Sequence, residues 1–541
     1  MRKDVQILIA LLLLTALYAA ALVVWAPHPF EDAAILMRYA QHAADGHGIV
    51  WNIGEPPVDG ATDFLFMLLV AGLARCGVTV ESAVRLVGIA SHFLTVAIVY
   101  IAVRRLHGAR PWMAALSAGY LAVGPGLAYA SAYFGTPFFV LFACLAWWLA
   151  SEQSMLGNPV SEHTLARGKE SYGLALLFAL CGLAMGLVRP EGVFLAAFML
   201  AAVVFLRGVR SSWRTVAVFV VVFAVLGGAY FAWRWSYFGH PLPNPFYRKG
   251  GWQLHWDGLK SAVEGALRFS LPFTLPFIAG FRSRRTVRQA TFALIPVAGF
   301  VALWVLLSSE MNYHWRFQYA ILPIVLLSWP PLTEGLAAEW HLPRWSSLNR
   351  RGRVTAAVLG GIVCLWALVY VHRMSRLPIR FGDGNHTVAM MLREYSGKGY
   401  TMAVTEAGLL PLYSRWNALD AWGLNDPQIA RAGRITAEDL DRHKPHLIIF
   451  HAYFSPLTPQ LEVRNEWDAM VKTLKEYAES KGYRLAAVFG ETPHDTHHYY
   501  VRPDFADSGR LFERIRDTRY IWMSTGGECL NFATLRRGEG P

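Results

Sequence analysis

The first apolar run, Val5 to Trp25, holds no charged residue and is long enough to cross a bilayer. Runs of the same kind recur as far as residue 375, and they constrain the fold before any motif does. In hydrocarbon a backbone must satisfy its own hydrogen bonds, so such segments form helices. The candidate spans are 5–25, 83–103, 112–130, 137–151, 171–188, 192–206, 214–235, 266–281, 289–308, 317–333 and 354–372, about eleven in all. Charged residues make up only 16% of the chain, against ~25% in soluble domains, and they are unevenly placed. Residues 376–541 read as ordinary soluble sequence. The expectation is an α-helical polytopic membrane domain over 1–375 and a soluble α/β domain over 376–541. No small-residue cleavage motif follows the first run, which reads as a retained signal anchor.

Orientation follows from the basic residues, which favour the cytoplasmic side. One set of loops carries Arg2 and Lys3; Arg104, Arg105 and Arg110; Arg167 and Lys169; Arg207, Arg210 and Arg214; Arg282, Arg284, Arg285 and Arg288; and Arg344, Arg350, Arg351 and Arg353. These fall on one side if segment 62–77 lies flat on the outer surface, as its ~16 residues against the ~20 of a span suggest. The N-terminus is then cytoplasmic and the C-terminal domain extracytoplasmic, in a multi-pass protein of the inner membrane. The net charge of +12 is absorbed by this loop bias and needs no nucleic acid. The five cysteines share no motif spacing, so neither a disulfide framework nor a zinc site is implied.

The same orientation sorts the unusual residues. The first outer loop, 26–82, carries the adjacent acids Glu31 and Asp32 at the start of a surface helix that includes Arg38. Other outer segments carry Arg189-Pro190-Glu191-Gly192, Asn244 with Tyr247-Arg248-Lys249, and His314-Trp315-Arg316. The inner loops hold basic residues without this mixture of acids, amides and aromatics. An outward-facing reaction centre accounts for the asymmetry, whereas a channel would place polar groups along its spans.

Glu31 and Asp32 are the candidate catalytic residues. A sugar hydroxyl is a poor nucleophile until a positioned carboxylate takes its proton. Asp32 could equally serve only the positive end of its helix. Arg189, Arg248, Lys249 and Arg316 are candidates for a lipid phosphate, since Arg offers a planar fork and Lys a point charge. Cations and aromatics are also ordinary at a membrane interface. Arg38, Asn244, Tyr247, His314 and Glu406 are the candidate substrate contacts. Glu406 ends a strand-like run, Met402 to Gly408, where it could bind sugar or hold the turn. Asp59 and Asp63 read as turn and cap residues. His494, His497 and His498 sit beside a strand-like Tyr499-Tyr500-Val501, and their spacing fits no standard metal site.

Taken in order, several segments resemble GT-C glycosyltransferases. They are the acidic pair, Gly46-His47-Gly48-Ile49-Val50-Trp51-Asn52, Gly54-Glu55, Arg189-Pro190-Glu191-Gly192, Gly239-His240-Pro241-Leu242-Pro243-Asn244, Arg316-Phe317, Glu406-Ala407-Gly408-Leu409-Leu410-Pro411 and Gly423-Leu424-Asn425-Asp426-Pro427. The chain is similar to bacterial relatives of the mycobacterial terminal β-1,2-arabinofuranosyltransferase. The resemblance implies a polyprenyl-phosphate sugar donor, an outward-facing site, a loop carboxylate as base, and a glycan, glycolipid or protein acceptor. Metal use varies among GT-C enzymes, and no motif here calls for a metal. Two departures stand out: Glu-Asp replaces the usual Asp-Asp, and Gly135 stands where many relatives have Glu. A non-enzymatic membrane scaffold, in envelope assembly or motility, is the alternative and would tolerate loss of both carboxylates. In the enzymatic reading the C-terminal domain orients the acceptor, so a chain ending near residue 377 should retain residual transfer.

Overall fold

The computed structural model describes residues 2–155, 172–250, 253–341, 347–376, 382–459 and 462–535. Arg167, Lys169 and Arg344, three of the basic loop residues, lie outside them. Six described helices are long and apolar enough to cross a membrane: Arg2–Ala21, Val80–Leu106, Pro111–Ser131, Val209–Phe238, Ile321–Glu339 and Arg350–Met374. The first and last of these expose large apolar side chains, among them Leu13, Leu17, Ile362 and Leu365. Such faces are tolerable only against lipid, and the chain is a multi-pass membrane protein. Tyr172–Val188, Glu191–Arg207 and Val287–Leu303 are shorter apolar helices packed within the bundle.

The expected span at 266–281 is not one helix. An amphipathic helix, Trp256–Ser270, ends at a tight turn, Leu271–Phe273, and Thr274–Arg282 follows. Pro272 in that turn has no N–H to continue a ladder. Segment 62–77 forms a twelve-residue helix, Phe64–Arg75. At 1.5 Å per residue it is roughly 18 Å long, well short of a bilayer core.

The C-terminal domain is a six-stranded mixed sheet with helices on it. Its strands are β1 (Thr401–Val404), β2 (Asn417–Asp420), β3 (Leu447–Ala452), β4 (Arg484–Thr492), β5 (Asp495–Val501) and β6 (Leu530–Asn531), in the order β2-β1-β3-β5-β4-β6. β1 runs parallel to both β2 and β3, and the remaining pairs are antiparallel. Side chains alternate between the faces, as the pleat requires. Ala403, Ile448, Phe450 and Tyr500 pack against the helix Glu466–Ser480. Met402, Val404, Leu447, Ile449 and Tyr499 join the core that runs down into the membrane domain.

The first outer loop plugs into this sheet. β2 is an edge strand, and an open edge must be covered or paired. Asn52 does this: its Oδ1 accepts from the Ala418 N–H at 2.9 Å and its Nδ2 donates to the Ala418 carbonyl at 3.1 Å. Trp51 Nε1 donates to the same carbonyl at 2.8 Å. Tyr39 donates to Asn425 Oδ1 at 3.0 Å.

Candidate functional site

Five ionisable side chains from four segments meet where this loop faces the bundle. Asp32 lies in the first turn of the helix Glu31–Ala44. Its Oδ2 accepts from Arg316 Nη2 at 2.6 Å. Arg189 donates from Nε to Glu191 Oε1 at 2.6 Å and from Nη1 to Asp63 Oδ1 at 3.3 Å. Both guanidinium groups are stacked: Arg316 over Phe134 at 3.9 Å, and Arg189 over Phe317 at 4.4 Å. Stacking and fork-like hydrogen bonding together favour Arg over Lys in such partly dry sites.

Electrostatics within the knot are uneven. Burial pulls the Arg316 pKa down, against the pull of Asp32. Arg189 is also buried, but Glu191 and Asp63 outweigh this and raise its pKa. Burial raises the pKa of Asp63, although Arg189 and Arg316 oppose it. Both pKa values of the Arg189–Asp63 pair thus rise, which favours the charged form of Arg189 and the neutral form of Asp63, because Arg189 is shared. Its shorter bond goes to Glu191, and Asp63 receives the weaker share. Arg316 Nε is buried with no hydrogen-bond partner among the described residues. An anion entering the knot would find that donor unspent.

The turn that presents Arg316 is unusual. His314 and Trp315 both have positive φ, at 48° and 56°, a region that non-glycine residues seldom adopt and that is costly to hold. The His314 carbonyl accepts from Tyr129 Oη at 2.6 Å. Its ring is half-buried, which lowers its pKa, with Arg268 adding to the effect. Asn244 is buried, its N–H donates to the Asp59 carbonyl at 3.0 Å, and its Nδ2 has no partner among the described residues. Tyr247 is half-buried beside Phe246.

Several sequence expectations are corrected. Glu31 does not face the bundle as a free carboxylate. Its Oε1 accepts from the Gly408 N–H at 2.7 Å, and the Leu409 N–H lies 3.1 Å from each oxygen. It therefore caps a turn of the C-terminal domain. Burial, then Glu406 and Asp383, push its pKa well above the usual carboxylate range. Arg38 is buried and makes four hydrogen bonds inside the fold, to the carbonyls of Trp51, Pro411 and Trp416 and to Asn52 Oδ1. It is a strut between the loop and the sheet rather than a substrate contact. Arg248 stacks on Trp422 at 3.6 Å and donates to the Trp422 carbonyl and Glu466. Lys249 lies 3.7 Å from Glu310. Neither is joined to the Arg189–Arg316 knot, because each finds its own carboxylate. Asp63 makes no cap bond and pairs with Arg189 instead, and Asp59 pairs with Arg234.

Glu406 belongs to a second cluster, within the C-terminal domain. His497 Nε2 lies 2.9 Å from its Oε2, and His451 Nδ1 lies 3.8 Å from its Oε1. Of the three histidines singled out in sequence, only His497 points this way. His498 is on the opposite face, stacked on Phe450, and His494 is exposed. His451 was not singled out. Its signal is parity: it shares the face of Leu447 and Ile449, opposite His497 in the register of β3 and β5.

The architecture has solved counterparts. ArnT from Cupriavidus metallidurans, known in the apo state and bound to undecaprenyl phosphate, superposes with a TM-score of 0.58 for the apo form at 14% identity, over 91% of this chain and 97% of that one. The Archaeoglobus fulgidus oligosaccharyltransferase superposes at 0.52 and 11% identity, over 90% of this chain and 80% of that one. The chain has the GT-C fold. A mycobacterial arabinofuranosyltransferase, AftD, superposes at 0.50 and 17% identity over 94% of this chain, which spans 40% of AftD. Residues 375–506 match a family model described as a domain of unknown function, DUF8728. By sequence, no curated protein matches the chain.

Proposed function

We propose that the chain is a membrane glycosyltransferase that moves a sugar from a polyprenyl-phosphate donor to an extracytoplasmic glycan, lipid or protein acceptor. The observation that carries this reading is the knot of Asp32, Arg316, Asp63, Arg189 and Glu191 on a GT-C frame. It supplies a carboxylate 21% exposed beside two stacked cations, one with an unspent buried donor. The ArnT counterpart binds undecaprenyl phosphate, a donor-side product of the proposed chemistry.

Asp32 is the base in this reading, because Glu31 is already committed to backbone N–H groups. The acceptor oxygen attacks the anomeric carbon as its proton passes to Asp32. The bond from that carbon to the phosphate oxygen breaks, and the polyprenyl phosphate leaves with the electron pair. Charge grows on the departing phosphate, where Arg316 and Arg189 are placed to stabilise it. Asn244, with its buried and unpartnered Nδ2, is the amide offered for a hydroxyl.

The test uses full-length protein in nanodiscs. Native mass spectrometry should detect bound undecaprenyl phosphate, and transfer from polyprenyl-phosphate sugars should fall by roughly 10²-fold or more in Asp32→Asn, the scale of general-base loss. Unchanged transfer in Asp32→Asn would remove Asp32 as the base, and wild type that neither binds lipid phosphate nor transfers sugar would leave the scaffold reading standing.

A further inference from the structure

We propose that Glu406, His451 and His497 form a zinc site at the carboxyl edge of the C-terminal sheet. The three donate one ligand atom each, and those atoms lie within 4.8 Å of one another. In tetrahedral zinc with bonds of about 2.1 Å, neighbouring ligand atoms sit roughly 3.4 Å apart. Here Glu406 turns one oxygen toward each ring, Oε2 to His497 Nε2 at 2.9 Å and Oε1 to His451 Nδ1 at 3.8 Å, so a small rotation of the carboxylate would bring a single oxygen into such a set.

The second shell argues for metal more strongly than the spacing does. A zinc-bound histidine needs one nitrogen bare and the other bonded to an orienting partner. His451 Nε2 lies 2.6 Å from Asp495 Oδ1. A carboxylate there holds the proton on Nε2, and in the neutral ring that binds a metal this leaves Nδ1 bare toward Glu406. His497 Nδ1 lies 2.6 Å from Tyr520 Oη. Tyr520 donates to Asn385 Oδ1 at 2.8 Å and lies 3.3 Å from Tyr499 Oη, so its oxygen is free to accept from Nδ1–H, and in the neutral ring Nε2 is then bare. That Nε2 is buried and makes no hydrogen bond among the described residues, although a carboxylate oxygen is 2.9 Å away. His497 is only 7% exposed. Asn385 Nδ2 in turn fixes Glu406 Oε2 at 2.9 Å. Both tautomers and the carboxylate are therefore set from behind, and all three bare acceptors converge.

Position in the fold is an independent argument. In open α/β sheets ligands bind beyond the carboxyl ends of parallel strands, where the strand order reverses. Here β1 lies between β2 and β3, and the chain leaves β1 for one side and returns on the other. Glu406 follows the end of β1, and His451 is the penultimate residue of β3. Two histidines and one carboxylate are a common zinc set that leaves a fourth position for water or another oxygen ligand. An ion there would also offset the mutual repulsion of Glu31, Glu406 and Asp383.

The inference does not depend on glycosyl transfer, and its readout is metal content. Full-length protein purified in detergent should carry about one zinc per chain by inductively coupled plasma mass spectrometry. Chelator-treated protein should take up one Co²⁺ and show the visible bands of a four- or five-coordinate nitrogen–oxygen site. His451→Ala with His497→Ala should lose the metal. Asp495→Asn keeps every ligand and only loosens the orienting bond, so it should weaken zinc binding about 10–100-fold. Wild-type protein that binds neither zinc nor cobalt with these ligands intact overturns the proposal. Retention of one equivalent in the double variant overturns it equally.

Discussion

Glu31 and Asp32 are adjacent in sequence and opposite in circumstance. The pair stands out in sequence because two acids just beyond a span are expensive without a purpose. Their division of labour was not legible, since the groups that decide it, Gly408 and Arg316, lie hundreds of residues away. Glu31→Gln should keep transfer within a few-fold of wild type, because an amide oxygen still accepts from Gly408 and Leu409. The pH dependence has a definite sign. A carboxyl whose pKa is raised by folding contributes stability at low pH that is lost as pH rises through the folded value. The melting temperature of metal-free wild type should therefore fall relative to Glu31→Gln as pH climbs above the ordinary 4.5. Parallel melting curves across that range would contradict the buried, repelled state assigned to Glu31. At Arg316, replacement by Ala should weaken undecaprenyl phosphate binding by ~1.5–3 kcal/mol, the worth of a hydrogen bond to a charged group. Unchanged affinity in a lipid titration would remove Arg316 from the donor site.

Strands and helices were read from sequence where a periodic signal exists. The strand-like runs Met402 to Gly408 and Tyr499 to Val501 overlap β1 and β5. β2 has only four residues, too few to show alternation, and its edge is finished by Asn52 from another domain. The Glu406–His451–His497 cluster escaped for a related reason. It depends on which strands pair and in what register, and no single segment encodes that. Gly135 belongs to this scale as well. A Cβ added there would stand 2.9 Å from Asp63 Oδ2 and 2.9 Å from the Phe66 ring. The site found room for Asp63 by doing without a side chain at 135. Gly135→Glu should press a second acid against a carboxylate that burial already disfavours. We expect loss of transfer of at least ten-fold with the membrane helices still inserted, read by activity against expression-normalised protein. Full activity in that variant would mean that the loop shifts freely and that Asp63 is not held as described.

At the scale of the whole molecule, the surprise is how many of the recognisable motifs join the two domains. Trp51 and Asn52 cover the edge of β2, Tyr39 holds Asn425, Glu31 caps the turn at Gly408, and Arg38 gathers the carbonyls of Pro411 and Trp416. A sequence reading located catalysis in the membrane domain and gave the C-terminal domain a separate, acceptor-orienting role. The contacts argue otherwise: the helix that carries Asp32 is built into the C-terminal sheet along its length. Arg38→Met should strand the buried carbonyls of Trp51 and Trp416, at ~1–3 kcal/mol each, while Pro411 keeps the Arg415 N–H, and lower thermal stability accordingly. Ending the chain after Arg376 removes every one of these partners at once. Asp32 would then sit on a helix held only from the bundle side, and Arg316 alone would not fix its position. Catalysis is sensitive to displacements of about an ångström. The truncated protein should insert, as judged by a fluorescent fusion and protease mapping, and should neither turn over donor nor transfer sugar to a small soluble acceptor. Residual transfer to the small acceptor would show that the bundle alone positions Asp32, and would return the C-terminal domain to an accessory role.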